Sequence, residues 1–315
     1  MAAAVFDAAL RGDRRALSRA ISMIDDRVKG VLDLIGGLSP RRRGGPGTPH
    51  VIGLTGPPGA GKSTLTDRLV AEARGAGQRV AVVAVDPSSP FTGGAILGDR
   101  LRLEDHALDE GVFVRSLASR GHVGGLSRAT GQVVDLLDAV GFDRIIVETV
   151  GVGQSELAVM EVADTVVVVL TPESGDVVQT MKAGLLEVAD LFVVNKADRP
   201  GARVLQRHLE QAVQLDQVPD EGWDIPVYVA SATKPFGLEG VSWAIEAHRV
   251  WCAGSGRPTW DARRAEGRVR TFLDLVAEDA RVAAAVRLGA ADQALSDGLR
   301  AGTENPYLAA AGWVP

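Results

Sequence analysis

Gly56-Pro57-Pro58-Gly59-Ala60-Gly61-Lys62-Ser63 decides the fold. It carries the full spacing of a phosphate-binding P-loop. An apolar, strand-like run (residues 50–55) precedes it, and a helical pattern starts near Lys62. The glycines let the backbone turn tightly, so that its N–H groups point at phosphate oxygens. The helix that follows adds the positive end of its dipole. Lys62 supplies a point charge to the β- and γ-phosphates, and the Ser63 hydroxyl is a hard oxygen ligand suited to Mg²⁺. The candidate phosphate set is therefore Gly56, Pro57, Pro58, Gly59, Ala60, Gly61, Lys62, Ser63 and Thr64, with Lys62 also a candidate catalytic residue.

Working outward, strand-like runs alternate with helical stretches at 50–55, 79–85, 112–115, 144–148, 165–170, 191–194 and 227–230. Continuous Val/Ile runs suit a parallel sheet covered on both faces. The predicted class is α/β: a P-loop NTPase with a mostly parallel central sheet and helical extensions at both ends. Val5, Leu10, Leu17, Ile21, Ile24, Val28, Leu32 and Ile35 recur at helical spacing before a Gly/Pro-rich linker over 36–49. Beyond about Gly256 the pattern is helical only, with Phe272, Leu273, Val276, Val282, Val286 and Leu288 on an apolar face. The expected domains are a helical extension at 1–45, a P-loop domain at 46–255 and a helical arm at 256–315. Either helical end can pack on the core or form an oligomer interface.

Directly after the sixth strand-like run stands Asn195-Lys196-Ala197-Asp198. In this placement the Asp198 carboxylate accepts from guanine N1–H and the exocyclic 2-amino group. Adenine lacks that donor pair and would leave a buried carboxylate unpaired, so the site discriminates by about 10⁴. Asn195 and Lys196 brace the loop, the Lys196 stem covering the base. Ser231-Ala232-Thr233, also after a strand, fits the accessory loop whose backbone touches guanine O6.

Phosphoryl transfer also needs Mg²⁺ and a positioned water. Asp86, Asp99 and Glu148 each lie at or soon after a strand end. Glu148-Thr149-Val150-Gly151 is similar to an Asp-x-x-Gly switch with Glu in place of Asp, and the Gly151 N–H is placed to sense a γ-phosphate. Asp99, Glu148 and Gly151 join Lys62 as catalytic candidates. The residue after the switch glycine is Val152 rather than a water-orienting Gln, and Gln154 lies further on. Slow intrinsic hydrolysis, accelerated by a dimer contact or a partner, is the expectation.

Charge and composition narrow the partners. The net charge is −6, with no broad basic field, so nucleic acid is not expected as a partner. Arg41-Arg42-Arg43 sits in the linker and reads as solvated. No apolar run reaches the length of a spanning helix, and Asp7 and Asp13 interrupt the apolar N-terminus, so a cytoplasmic protein with no membrane partner is expected. Cys252 is the single cysteine and reads as a plain, partly buried residue; the five histidines show no zinc or nickel spacing. His122 lies in a loop, as a signalling contact or a structural hydrogen-bonder.

Three longer runs add a resemblance. They are Asp86-Pro87-Ser88-Ser89-Pro90-Phe91-Thr92-Gly93-Gly94-Ala95-Ile96-Leu97-Gly98-Asp99-Arg100, Arg120-Gly121-His122-Val123-Gly124-Gly125-Leu126 and Glu148-Thr149-Val150-Gly151-Val152-Gly153-Gln154-Ser155-Glu156. Together they resemble the MeaB/ArgK-type GTPases of the SIMIBI class over nearly the whole chain. The resemblance implies a homodimeric GTPase, binding GTP or GDP, that chaperones an adenosylcobalamin-dependent acyl-CoA mutase, chiefly methylmalonyl-CoA mutase. Such proteins gate cofactor loading and protect the mutase from inactivation. The resemblance further implies Ser63, Asp86, Asp99 and Glu148 around Mg²⁺, a partner-facing switch from Pro172 to Lys182, and a C-terminal dimerisation arm. Cobalamin itself is not expected on this chain. The Asp-x-His-x-x-Gly pattern is absent, since Arg120 stands two residues before His122 and Glu104 two before His106. The competing readings are an ATP-dependent kinase linked to amino-acid transport, against which Asp198 speaks, a nickel metallochaperone GTPase, against which the lone cysteine speaks, and a GTPase with no cobalamin link, such as a targeting factor.

Overall fold

The computed structural model describes residues 2–38, 48–87, 106, 108–119, 123–149, 162–173, 184–216, 222–234, 236–291, 293–301, 303, 304, 306 and 309. Asp99, His122, Gly151, Gln154, the Arg41-Arg42-Arg43 run and residues 174–182 lie outside them, and Asp86 is described in its backbone only. The chain divides into two compact units, Met1–Arg264 and Ala265–Pro315.

The first unit is built on β1 (His50–Thr55), β2 (Val80–Pro87), β3 (Val112–Ser119), β4 (Arg144–Thr149), β5 (Thr165–Leu170), β6 (Leu191–Val194) and β7 (Val227–Val229). They form one seven-stranded sheet in the order β3-β2-β4-β1-β5-β6-β7, all parallel. Its helices are α1 (Ala2–Leu10), α2 (Arg14–Asp25), α3 (Val31–Gly36), α4 (Lys62–Gly75), α5 (Val123–Val140), α6 (Leu185–Val188), α7 (Ala202–Asp216) and α8 (Leu238–Ala253). A long helix, α9 (Arg257–Ala291), begins in this unit. The Val/Ile runs divide by parity, as a pleated strand requires. Val166, Val168 and Leu170 join a core with Phe6, Leu17, Ile21, Leu136 and Leu209. Val167 and Val169 face the opposite core, with Leu65, Leu69 and Ile245. The inner strands β1, β5 and β6 are thus buried on both faces, as an all-parallel sheet requires, while β7 at one edge is only partly covered.

The N-terminal helical spacing resolves into three helices. Gly12 (φ +92°) and Gly30 (φ +85°) break it, in a left-handed region that favours glycine. Asp13 caps α2, accepting from the Arg15 and Ala16 N–H groups. Phe6, Ala9, Leu17, Ile21 and Ile24 are buried, whereas Leu10, Val28 and Leu32 of the anticipated apolar face are exposed. This extension packs on the α/β core. Helix α5 starts at Val123.

In the second unit, the remainder of α9 and α10 (Gln293–Ala301) are helical. Val269, Phe272, Leu273, Val276, Val282 and Val286 are all exposed. Among the described residues no helix is long and apolar enough to cross a membrane.

At the foot of the sheet, where the strands begin, lies a buried polar chain. Thr165 Oγ1 lies 2.8 Å from His50 Nε2 and 2.7 Å from His248 Nδ1. Asp190, just before β6, accepts from the Val166 N–H and from Arg263 at the start of α9, and lies 3.6 Å from His248 Nε2. Trp223 and Trp251 flank the His248 ring. Burial, then the Arg144 charge and the neighbouring His248 and Arg249, holds His50 well below the usual histidine range. Burial lowers His248 as well, with Asp190 pulling the other way. Cys252 is buried, more so than expected, and its thiol is pushed up to about 12, by burial first and then by Asp190 and Asp164. That leaves it protonated and inert.

Candidate functional site

The sheet order puts β1 between β4 and β5, so the chain leaves β1 toward β2 on one side and returns for β5 on the other. In an open parallel sheet such a switch point opens a crevice at the C-terminal strand ends. Residues 56–61 occupy it, joining β1 directly to α4. Gly56 (φ +144°) cannot carry a side chain, because a Cβ there would lie 2.0 Å from the Val169 carbonyl oxygen of β5. Gly61 (φ +85°) stands at the start of α4, and its Cβ would lie 2.3 Å from Asn195 Nδ2. The first glycine lets the loop leave the sheet; the last lets it touch the loop after β6. Lys62 is buried, and its ammonium donates to the Gly56 and Pro57 carbonyls at 2.6 and 3.0 Å.

Glu148 lies near the end of β4, opposite Leu54 of β1 and Ala84 of β2. That register sets it beside the strand that feeds the phosphate loop. It is buried, with Ser63 Oγ donating to Oε1 and Thr66 Oγ1 donating to Oε2 at 2.7 Å. Ser63 and Glu148, separated by 85 positions in the chain, are thus brought together. One strand over, the backbone of Asp86 follows Val85, which pairs with Thr149. An alcohol and a carboxylate in contact, within reach of a helix N-terminus, form a hard-oxygen set that fits a magnesium ion.

The loop after β6 is held from three sides. Asn195 Nδ2 donates to the Ala60 carbonyl at 2.8 Å, and Asn195 Oδ1 accepts from the Ala232 N–H at 3.0 Å. One buried amide therefore ties together the phosphate loop, its own loop and the Ser231-Ala232-Thr233 loop. The Ala232 N–H, in the segment expected to touch guanine O6, is already engaged with Asn195. Arg68 of α4 donates to the Ala232 carbonyl from the far side, and Ser231 Oγ lies 3.4 Å from Thr233 Oγ1. Lys196 takes a left-handed backbone (φ +56°), uncommon for a side chain of this kind. Its ammonium reaches Glu173 at 3.1 Å, and Arg199 meets the same carboxylate at 3.6 Å. Asp198 lies 3.5 Å from the Lys234 ammonium. A hydrogen bond from its own N–H, and secondarily Lys234, holds its carboxyl below the usual carboxylate range, so it is a charged acceptor at neutral pH.

Thr66, Arg68 and Lys234 are the neighbours that the sequence reading did not single out, and Glu173 entered it only as part of the run from Pro172 to Lys182. A signal existed for Thr66 alone, which lies three residues after Ser63 and so on the same face of a helix.

The chain is similar to known GTPases. GTPase ArgK of Escherichia coli is 38% identical over 250 residues, covering 78% of this chain and 76% of the relative. The mitochondrial methylmalonic aciduria type A homolog of Mus musculus is 36% identical over 243 residues, covering 73% of this chain and 58% of the relative. The crystal structure of an LAO/AO transport system kinase shares the fold, with a TM-score of 0.68 at 25% identity, covering 99% of this chain and 96% of that one. The model of the methylmalonyl Co-A mutase-associated GTPase family, MeaB, matches residues 17–287, a span that takes in the phosphate loop, Glu148 and the base loop alike. The chain is a GTP hydrolase and belongs to that family.

Proposed function

We propose that this GTPase works with Mg²⁺ as a chaperone of an adenosylcobalamin-dependent acyl-CoA mutase, with methylmalonyl-CoA mutase as the client. In this reading it gates cofactor loading and protects the mutase, while carrying no cobalamin itself. The observation that supports the nucleotide half is the Asn195 amide, which fixes the phosphate loop and the base loops as one rigid receptor. The client half rests on the family, whose description names mutase association.

In this reading Gly56 to Thr64 cradle the phosphates and Lys62 turns from the loop carbonyls to the β- and γ-oxygens. Asp198 accepts from guanine N1–H and the 2-amino group, the Lys196 stem covers the ring, and Ser231-Ala232-Thr233 lies against O6. Ser63, Asp86, Asp99 and Glu148 hold the magnesium ion, which when bound neutralises charge developing on the transferred phosphoryl group. Gly151 senses the γ-phosphate, and Pro172 to Lys182 convey the nucleotide state to the client. Val152 in place of a water-orienting Gln keeps intrinsic turnover slow, with the client accelerating it. The chain acts in the cytoplasm as a homodimer. Its three parts are the extension at 1–45, the GTPase domain at 46–255 and a dimerisation arm at 256–315. The exposed apolar residues of the arm, Val269, Phe272, Leu273 and Val276, recur at the spacing of one helix face, which favours a helical partner surface.

The test is GTP hydrolysis by the purified protein with and without methylmalonyl-CoA mutase, with ATP alongside. Slow GTP turnover that rises when the mutase is added is the expected result. GTP turnover indifferent to the mutase would overturn the client, and ATP turnover as fast as GTP would overturn the base reading.

A further inference from the structure

We propose that Thr66 is a positioning residue for the metal side of the phosphate site. Its hydroxyl pins one oxygen of Glu148 so that the other is presented to Ser63. The inference rests on the reading of Ser63 and Glu148 as magnesium-side residues.

Glu148 opens a switch-like segment in the position where that pattern carries Asp. The extra methylene adds a rotatable bond, and a side chain with more rotamers loses more entropy when it is fixed. A Glu therefore needs an additional anchor to present its carboxylate as reproducibly as an Asp. Thr66 provides it. Its side chain is fully buried, and Oγ1 donates to Glu148 Oε2 at 2.7 Å. Ser63, one turn earlier on α4, donates to Oε1. Two hydroxyls on one helix face thus take one oxygen each, which fixes both the position of the carboxylate and its rotation. A divalent ion that takes up the Ser63 oxygen disturbs the Oε1 contact and leaves the Thr66 contact intact. Thr66 then holds Glu148 in place through the exchange. It touches neither nucleotide nor metal in this scheme.

The experiment follows release of a fluorescent GDP analogue over a series of Mg²⁺ concentrations and in excess chelator. It compares the parent chain with Thr66→Val, Thr66→Ser and Glu148→Gln. Thr66→Val keeps the shape and removes the donor. The Mg²⁺ concentration that half-maximally slows release should rise about tenfold, the order expected when one hydrogen bond to a charged group is lost. Release in chelator should stay within about twofold of the parent, because no phosphate or base contact is changed. Thr66→Ser keeps the hydroxyl and should restore the parent Mg²⁺ dependence. A Glu148→Gln shift without a Thr66→Val shift would overturn the positioning role alone. No shift in Glu148→Gln would overturn the metal reading beneath it. A Thr66→Ser shift as large as that of Thr66→Val would assign the effect to methyl packing and overturn the proposal. If Thr66→Val fails to fold, Thr66→Ala carries the same expectation.

Discussion

The two ends of the sheet carry polar networks made from similar materials and assembled on different terms. At the C-terminal edge, Ser63, Lys62, Asn195 and Asp198 stand on loops or on the first turn of a helix and Glu148 near the end of β4, and much of what they touch is backbone carbonyl or N–H. At the foot, His50, Thr165, His248, Asp190 and Arg263 bond mainly to one another, side chain to side chain. The upper network holds charged groups: a lysine against carbonyls, a carboxylate against hydroxyls, and Asp198 kept ionised by its own N–H and Lys234. The lower one holds its imidazoles neutral by burial. Charge kept available at loop tips is suited to an exchanging anionic ligand. At the foot, neutral imidazoles beside the closed Asp190–Arg263 ion pair join strand ends to helices and stay put.

Substitutions at the two ends should therefore separate binding from stability. The largest effect is expected from Gly61→Ala. A Cβ there meets Asn195 Nδ2 and sits on a left-handed backbone. The strain alone is about 1–2 kcal/mol, and displacing Asn195 adds to it. Guanine-nucleotide affinity should fall by about a hundredfold or more, as measured by calorimetry. Affinity within a few-fold of the parent would mean that the Asn195 link is dispensable.

At the foot, Thr165→Val removes the shared partner of both histidines. It should cost about 1–3 kcal/mol in denaturant unfolding, with nucleotide affinity unchanged. A loss of affinity as large as the loss of stability would erase the distinction between the two ends. The same cluster predicts a pH dependence. His50 and His248 are neutral in the folded state with lowered pKa values, while the unfolded chain takes up protons near a pKa of about 6.5. Their contribution to stability is therefore present above that value and is lost as pH falls through it toward the folded-state values. Tm should decline between about pH 7.5 and 5.5 and decline less in Thr165→Val; a flat profile in the parent would contradict the neutral cluster.

The smallest effect is expected at Glu173, which is about half exposed and meets Lys196 and Arg199. Glu173→Gln should accelerate GDP release by no more than about fivefold, since exposed pairs are worth about 1 kcal/mol or less. A larger change would show that the Lys196 stem depends on this tether.

The legibility of the chain divides along similar lines. All seven strands could be read because Val/Ile runs such as those in β5 and β6 are local signals, and the phosphate and base motifs announce themselves by spacing after a strand. The sheet order could not be read, since placing β1 between β4 and β5 depends on pairings far apart in the chain. The split of the N-terminal extension was available in principle, because Gly12-Asp13 is a break followed by a capping residue. The Thr66–Glu148 contact and the His50–Thr165–His248 chain were not available. Each joins residues at least 82 positions apart, and their side chains meet only once the strand register is set. The role proposed for Asp198 was legible as chemistry, but its partner Lys234 emerged only with the fold.

The most direct test of the receptor described here is a paired calorimetric titration of the purified chain with GDP and with ADP, repeated on Asp198→Ala. GDP should bind about a thousandfold or more tighter than ADP in the parent, with most of that preference lost in the variant. Equal affinities in the parent, or a preference that survives removal of the Asp198 carboxylate, would contradict it.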